Sequence, residues 1–486
     1  MNPGRRDVLK AGAVAGSIAI LGGCDSSAAW NFTARLFEPS GKMEFPSDPE
    51  IDPAVHVLNR IGFGPRPGDL AHVRKEGIDA YIEEQLAPGL IRDFACDLRA
   101  RRFESLHASA GDIFEFKKQV VEEELLRHTV LRAVYSRRQL FENMVHFWTD
   151  HLNISIAKGE CAWFKTVDDR EVIRRNALGK FRDLLRASAL SPAMLVYLDG
   201  RANREAEGAV RANENYAREL LELHTLGVQG GYSQEDVMEA ARCLTGWRVK
   251  KKWNRGKVVF LRSLHDEGEK EVLGKKIPAN GGERDLDLLL DIVARHPATS
   301  RHLAGKLCRW FVSENPPRPL VEHVAGVFRE SDGDIRKTLR VLFRSAEFRD
   351  ARGTRLKRPF RFVVSALRAL DADTDGGPRI QRWLERMGQA PFQYPTPDGY
   401  PLEPEPWLGT LLWRWNFAID LAANRISRTR VNLENLVGRM EGGDRFAPHL
   451  FGRLPRREEE SALAQAGSSL ERKAAFLMAS PGFQRY

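Results

Sequence analysis

Three short stretches hold the residues whose types and spacing could do chemistry. His151 ends the apolar-striped segment 138–152, one turn beyond Phe147 and Trp148. An imidazole against an aromatic wall has its charged form disfavoured, which would suit general acid–base work or ligation. The plainer reading is a core-edge histidine at a helix C-terminus, where the dipole favours it. His265 and Asp266 open the loop HDEG at 265–268, and functional groups concentrate on loops. The carboxylate could polarise the imidazole, or the pair could supply two metal ligands. The plainer reading is a turn in which Asp266 bonds backbone.

The third stretch, NENYARELLELHTLGVQGGYSQEDVMEAARCLTGW, covers 213–247 and reads as helix, glycine turn, helix. Wound at about 100° per residue, its first half turns Asn213, Ala217, Leu220, Leu221, Leu223 and His224 to one face. Glu214 and Glu219 fall at opposite rims of that face. Glu214, beside Asn213 at a helix start with outward-facing N–H groups, is the preferred catalytic carboxylate. Its plainer reading is a surface charge with Arg218 four residues on. His224 on the apolar face reads first as a core histidine. Gly227, Gly230 and Gly231 reverse the chain, Ser233 with Asp236 predicts a capping box, and Val237, Ala240, Ala241 and Leu244 form a second apolar stripe.

The elements that must position these groups are helical almost throughout. Apolar periodicity predicts helices over 113–135, 138–152, 168–188, 192–198, 285–294, 300–311, 319–330, 334–344, 359–370 and 410–425, with two last ones at 458–465 and 470–478. The clear strand is KVVFL at 257–261, expected to pair with 271–273 across the loop. A proline-, glycine- and aromatic-rich loop at 387–402 (MGQAPFQYPTPDGYPL) offers Phe392, Tyr394 and Tyr400 as a wall for a sugar or peptide. No repeat and no sharp composition break divides 51–486. The expected fold is mainly α, a single large multi-helical domain with a small β-hairpin excursion.

The first 24 residues give an address. GRRDVLK, a modest apolar stretch and LGGC match, in order, a twin-arginine export signal (1–23) and a lipobox whose Cys24 would carry a diacylglycerol. Asp25 beside it resembles an inner-membrane retention signal, a rule that varies among bacteria. Residues 24–50, polar and without clear period, read as a flexible tether. The expected location is therefore the periplasmic side of the membrane, lipid-anchored. The net charge is +9, of which +2 comes from Arg5, Arg6, Lys10 and Asp7 in the leader. The remaining excess is spread through helices that also carry acids, so it reads as solvated surface, and no nucleic-acid module is present. With Cys24 lipidated, Cys96, Cys161, Cys243 and Cys308 lack zinc-like spacing and read as buried free thiols ahead of two disulfides.

Beyond these readings, the chain resembles a large bacterial family known as domain of unknown function 1800. The resemblance rests on HVLNRIGFGPRPGDL (56–70), MVHFWTDHLNI (144–154), the 213–237 block, ARCLTGW (241–247), HDEGEK with a following LG (265–274), GQAPFQYPTPDGYP (388–401) and the terminal FLMASPGFQRY. Arg211-Ala212 departs from the Gly-Pro-like turn expected before that block. The resemblance implies export, frequently by the twin-arginine route, and supplies no reaction.

GxSxG, HExxH, P-loop, dinucleotide-binding and CxxCH motifs are absent, which weighs against elbow-type serine hydrolases, zincins and c-type cytochromes. Two functions remain open. One is a tethered hydrolase or lyase of an envelope or extracellular polymer, with His151, Glu214, His265 and Asp266 converging as acid, base or metal ligands and Asn213 orienting one of them. The other is a non-catalytic lipoprotein that scaffolds or chaperones another exported protein. Convergence of the four side chains in one pocket would favour the first; scatter with an exposed apolar patch would favour the second. Cofactor and metal identity are left open by the sequence.

Overall fold

The structure is a computed structural model that describes residues 26–38, 42–204 and 212–486. The signal segment and Cys24 lie outside the described residues. The chain is mainly α, with three two-stranded antiparallel sheets among the described residues.

Two large hydrophobic clusters organise the helices. The first runs from Ala54 to Ala351 and includes Met144, Phe147 and Trp148 of the helix Gln139–His151, with Leu303, Leu307 and Phe311 of the helix Pro297–Phe311. The second joins Val130, Leu131 and Val134 of the helix Lys118–Tyr135 to the helix Pro359–Ala369 and the C-terminal helices. Trp148 is fully buried, and its indole N–H donates to the carbonyl of Ala177 at 2.9 Å. The four cysteines Cys96, Cys161, Cys243 and Cys308 are buried free thiols.

Several elements differ from the sequence-based expectation. KVVFL pairs as Val258–Phe260 with Trp247–Val249, not with 271–273. Lys270–Val272 pairs instead with Lys275–Ile277. The two-residue turn between them, Leu273 and Gly274, has positive φ at both positions, the conformation that closes a tight hairpin. The helix expected over 168–188 is broken into Cys161–Asp168, a π-helical Asp169–Arg174 and Phe181–Ala189. The break at Gly179-Lys180 is held open by backbone bonding of Phe181 and Ile335 to Gly333 and Gly179.

The stretch expected to be a free tether also carries structure. Ser26–Arg35 is a helix, and Asn31 Nδ2 donates to Asp373 Oδ1 at 2.8 Å and to the Thr374 carbonyl at 3.2 Å. Farther on, Glu38 pairs with Arg66 at 3.1 Å and Arg99 at 2.7 Å. Phe37 also packs edge-on against Phe94 at 4.9 Å and Met43 joins the second cluster; isolated apolar residues among ion pairs and side-chain hydrogen bonds leave no hydrophobic period.

Candidate functional site

The segment that begins as the helix Asn215–Glu219 continues as a π-helix over Leu220–Thr225. π-turns are rare and gather at functional sites. The last carbonyls of a helix have no partner within it, and here two imidazoles fill the vacancy. His151 Nε2 donates to the carbonyl of His224 at 3.1 Å, and His302 Nε2 to that of Leu223 at 3.3 Å. Gly227 ends the segment at φ +83°, and a Cβ there would stand 2.7 Å from His302 Nδ1. The glycine thus makes room for the second histidine as well as stopping the helix.

The bond to His224 fixes His151 as the Nε2–H tautomer, leaving Nδ1 as an acceptor. Lys306 Nζ lies 2.9 Å from that nitrogen. His302 and Lys306 are four residues apart on the helix Pro297–Phe311, hence on one face. Burial, then the nearby Arg309, lowers the Lys306 ammonium to about 8, against weaker opposing pulls from Asp150, Asp398 and Glu403. Burial followed by Lys306 holds His151 well below the usual imidazole range, and the same causes bring His302 to about 4 and His224 to about 3. This corner therefore keeps three imidazoles neutral and an amine readily deprotonated. Neither ring nitrogen of buried His224 has a hydrogen-bond partner among the described residues, nor does the buried hydroxyl of Tyr216, whose ring centroid lies 6.5 Å from that of His224.

Lys306, Glu219 and Tyr197 all feel the charge of Asp398. The Glu219 carboxyl is pushed up by burial, then by Glu222, with Asp398 adding to the rise. Tyr197 is raised to about 12 by burial, then by Cys161, Asp398 and Glu219. Asp398 belongs to the 387–402 loop, which is firmly tied down. Asn153 Nδ2 donates to the carbonyls of Tyr394 and Thr396 at 3.1 and 2.7 Å, and the Tyr197 hydroxyl donates to that of Pro395 at 2.8 Å. Gly399, at φ +75°, rests so near the Asp150 carbonyl that a Cβ would come within 2.1 Å. The expected aromatic wall is corrected: Phe392 and Tyr400 are buried and Tyr394 half-buried, because they anchor the loop inward. Tyr400 donates to the Ala390 carbonyl at 2.6 Å, and the Ile156 amide donates to the Phe392 carbonyl at 2.9 Å.

The other sequence candidates lie in separate settings. His265 is fully buried, with Nδ1 3.0 Å from Thr245 Oγ1 and Nε2 3.1 Å from Asp285 Oδ2. Lys270 Nζ donates to the same Asp285 oxygen at 2.7 Å. Asp266 receives both Arg242 nitrogens, at 2.7 and 2.9 Å, and caps the Gly268 amide at 2.9 Å. Burial opposes the Asp285 charge, yet the bonds from His265 and Lys270 hold its carboxyl below the usual range. Asn213 Oδ1 accepts from the Asn215 amide at 3.0 Å, while Glu214 pairs with Arg218 at 3.1 Å and accepts from Gln234 at 2.6 Å.

His151 and His265 share no contact partner, and Asn213 and Glu214 serve a helix start. The four side chains expected to meet in one pocket thus fall into three separate groups. Among the described residues, none of the five candidates lines the cavity of about 1300 Å³ between the 66–97 region, Tyr135 and Arg368, or the two smaller ones beside residues 422–439 and 142–150. Sequence reasoning missed Lys306 and His302, and it preferred Glu214 to Glu219. Among the described residues no group of three His, Cys, Asp or Glu side chains could hold a metal ion.

No curated protein and no solved structure matches the chain at a significant level. The family described as "Protein of unknown function (DUF1800)" matches residues 56–485, most of the 486-residue sequence, and the chain belongs to that family.

Proposed function

We propose that this is an exported, lipid-anchored acid–base enzyme, a hydrolase or lyase of an envelope or extracellular polymer, with its chemistry at Lys306. The observation that carries the reading is the 2.9 Å contact between Lys306 Nζ and His151 Nδ1, in a corner that disfavours positive charge. His151 is the positioning residue: it takes one N–H of the neutral amine and leaves the nitrogen lone pair free to accept a proton. Glu219, whose carboxyl burial pushes up, is the matching donor. Environments that drive a base down and an acid up are how one site runs both transfers near neutral pH. In an elimination, Lys306 takes the proton next to a carbonyl or carboxylate, and Glu219 protonates the leaving oxygen as the bond to it breaks. In a hydrolysis, Lys306 takes a proton from the attacking water, and Glu219 again serves the leaving group.

Export and anchoring are supported by GRRDVLK and LGGC in the leader. Among the described residues no helix is long and apolar enough to cross a membrane, which is compatible with a lipid anchor. The test is incubation with purified peptidoglycan sacculi and with neutral and uronate-containing exopolysaccharides, following reducing ends and the ultraviolet absorbance of unsaturated products. Turnover that falls at least ~100-fold in Lys306→Met and in Glu219→Gln is expected, within the range general acid–base groups contribute. Turnover insensitive to both changes would reject the site.

A further inference from the structure

The helix Leu411–Ala422 is apolar on two adjoining faces. Arg414, Phe417, Ala418 and Leu421 are buried, and Phe417 packs edge-on against Phe362 and Trp383 at 5.8 and 5.9 Å. The next face carries Leu412, Trp415 and Ile419, 61%, 46% and 44% exposed, and Leu408, which ends the preceding short helix Glu405–Leu408, is 52% exposed. Within the helix the spacing of three and four residues puts Leu412, Trp415 and Ile419 on one stripe with Leu411 at its edge, and Trp413 lies beyond Asn416 and Asp420 on the side of the helix Pro378–Arg386. A surface helix is expected to be polar on its outer side, and a contiguous apolar patch marks an interaction site.

The neighbouring helix Pro378–Arg386 supplies the charge. Arg379, Arg382 and Arg386 recur along its exposed side, where Glu385 is the helix's sole acid. Trp383 and Trp413 join the helices at 6.4 Å, and Arg386 lies over the Trp413 ring at 5.1 Å. Among the described residues Arg379 and Arg382 have no carboxylate partner within ion-pair distance. A row of leucine, isoleucine and tryptophan beside a row of arginines complements one kind of surface: anionic headgroups over acyl chains. Indole rings also favour that boundary.

We propose that this face docks on an anionic phospholipid bilayer. Leu408 and the Leu412–Ile419 stripe would enter the headgroup boundary and Arg379, Arg382 and Arg386 would meet lipid phosphates. This goes beyond the acid–base reading and does not depend on it.

The test uses the full chain carrying Cys24→Ser, so that acylation plays no part, and vesicles of equal parts phosphatidylglycerol and phosphatidylcholine with brominated acyl chains. The leader has no tryptophan, so quenching of fluorescence reports the folded part. Quenching is expected, with loss of most of it in the double variant Trp413→Phe, Trp415→Phe and little change in Trp253→Phe. Apparent affinity should fall more than ~10-fold in Arg379→Gln, Arg382→Gln, Arg386→Gln and in pure phosphatidylcholine. Quenching unaffected by the double variant, or affinity indifferent to arginines and lipid charge, would overturn the proposal. So would a dimer in sedimentation that Leu412→Asp, Ile419→Asp converts to monomer, which would put a second copy on this face. Because every altered tryptophan, arginine, leucine and isoleucine side chain is exposed or half-exposed, folding is checked by an unchanged circular dichroism melt, and the arginine set gives a second readout that spares the apolar face.

Discussion

Two lysine–histidine pairs are built into this molecule, and one carboxylate separates their behaviour. At the hairpin Lys270–Ile277, Asp285 receives both His265 and Lys270, and all three side chains are sealed from solvent. In the corner under the 387–402 loop, Lys306 meets His151 directly. The carboxylate that pulls on it most, Asp150, is taken up by Arg358 at 3.1 Å. A buried cation matched by an anion is a structural strut, stable while both members remain. A buried amine matched only by a neutral imidazole sheds its proton instead. The difference shows why residue type alone is a poor guide to chemistry: His265 and Asp266 have the better-looking sequence, and the counter-ion decides.

The widest separation between the two pairs should come from removing one member of each. Asp285→Ala leaves Lys270 buried without its anion and should cost about 3–5 kcal/mol in denaturant unfolding. Lys306→Met removes a group whose charged form burial opposes, so stability at neutral pH should stay level or rise. The sign follows from linkage. The folded Lys306 value, about 8, lies below the unfolded value of about 10.4. The unfolded chain therefore binds more protons between those limits, and the native state gains stability as pH rises through them. The difference between wild type and Lys306→Met should narrow over that window.

His151→Ala comes next in size. It strands the His224 carbonyl and the Lys306 amine, a loss of about 1–3 kcal/mol, and removes the contact that positions the base.

Acid should then weaken the His151 corner. His224 and His302, brought to about 3 and 4 in the fold, take up protons near 6.5 when unfolded. Stability contributed by their neutral state is present above 6.5 and is lost as pH falls toward 4. The slope is up to about 1.4 kcal/mol per pH unit for buried His224 and smaller for half-buried His302. Chemical denaturation between pH 7 and 4 measures it; a flat profile would mean that these rings titrate normally. The smallest effect belongs to Glu214→Gln, whose partly exposed pair with Arg218 is worth about 0–1 kcal/mol. It should leave turnover unchanged, unlike Glu219→Gln.

Much of this was legible beforehand, and the failures have physical causes. The apolar stripe ending at His151, the capping box at Ser233 and Asp236, and the buried stripe of Val237, Ala240 and Ala241 are all present. These are local features set by spacing. The preference for Glu214 over Glu219 rests on a local helix start, whereas the rise of the Glu219 carboxyl comes first from burial and in part from Asp398, which a helical wheel does not show. Glu219, the last residue before the π-helical Leu220–Thr225, feels the charge of Asp398, some 180 positions away in the sequence. Lys306 and His302 were invisible as partners of His151 because that pairing is tertiary. Their one local signal is a histidine and a lysine four apart on a helix face that also carries Arg309. Asp285 gave still less warning, reading as an ordinary first-turn acid of the helix Arg284–Ala294.

The most direct test is the amine reactivity of Lys306 read residue by residue against pH, by brief acylation and mass spectrometry of the intact folded chain, with Lys270 as the internal reference. A labelling midpoint near 8 for Lys306, moved by His151→Ala, with Lys270 protected throughout, is the expected result. A Lys306 midpoint near the ordinary lysine value of about 10.4, or one indifferent to His151, would contradict a neutral amine poised as the base.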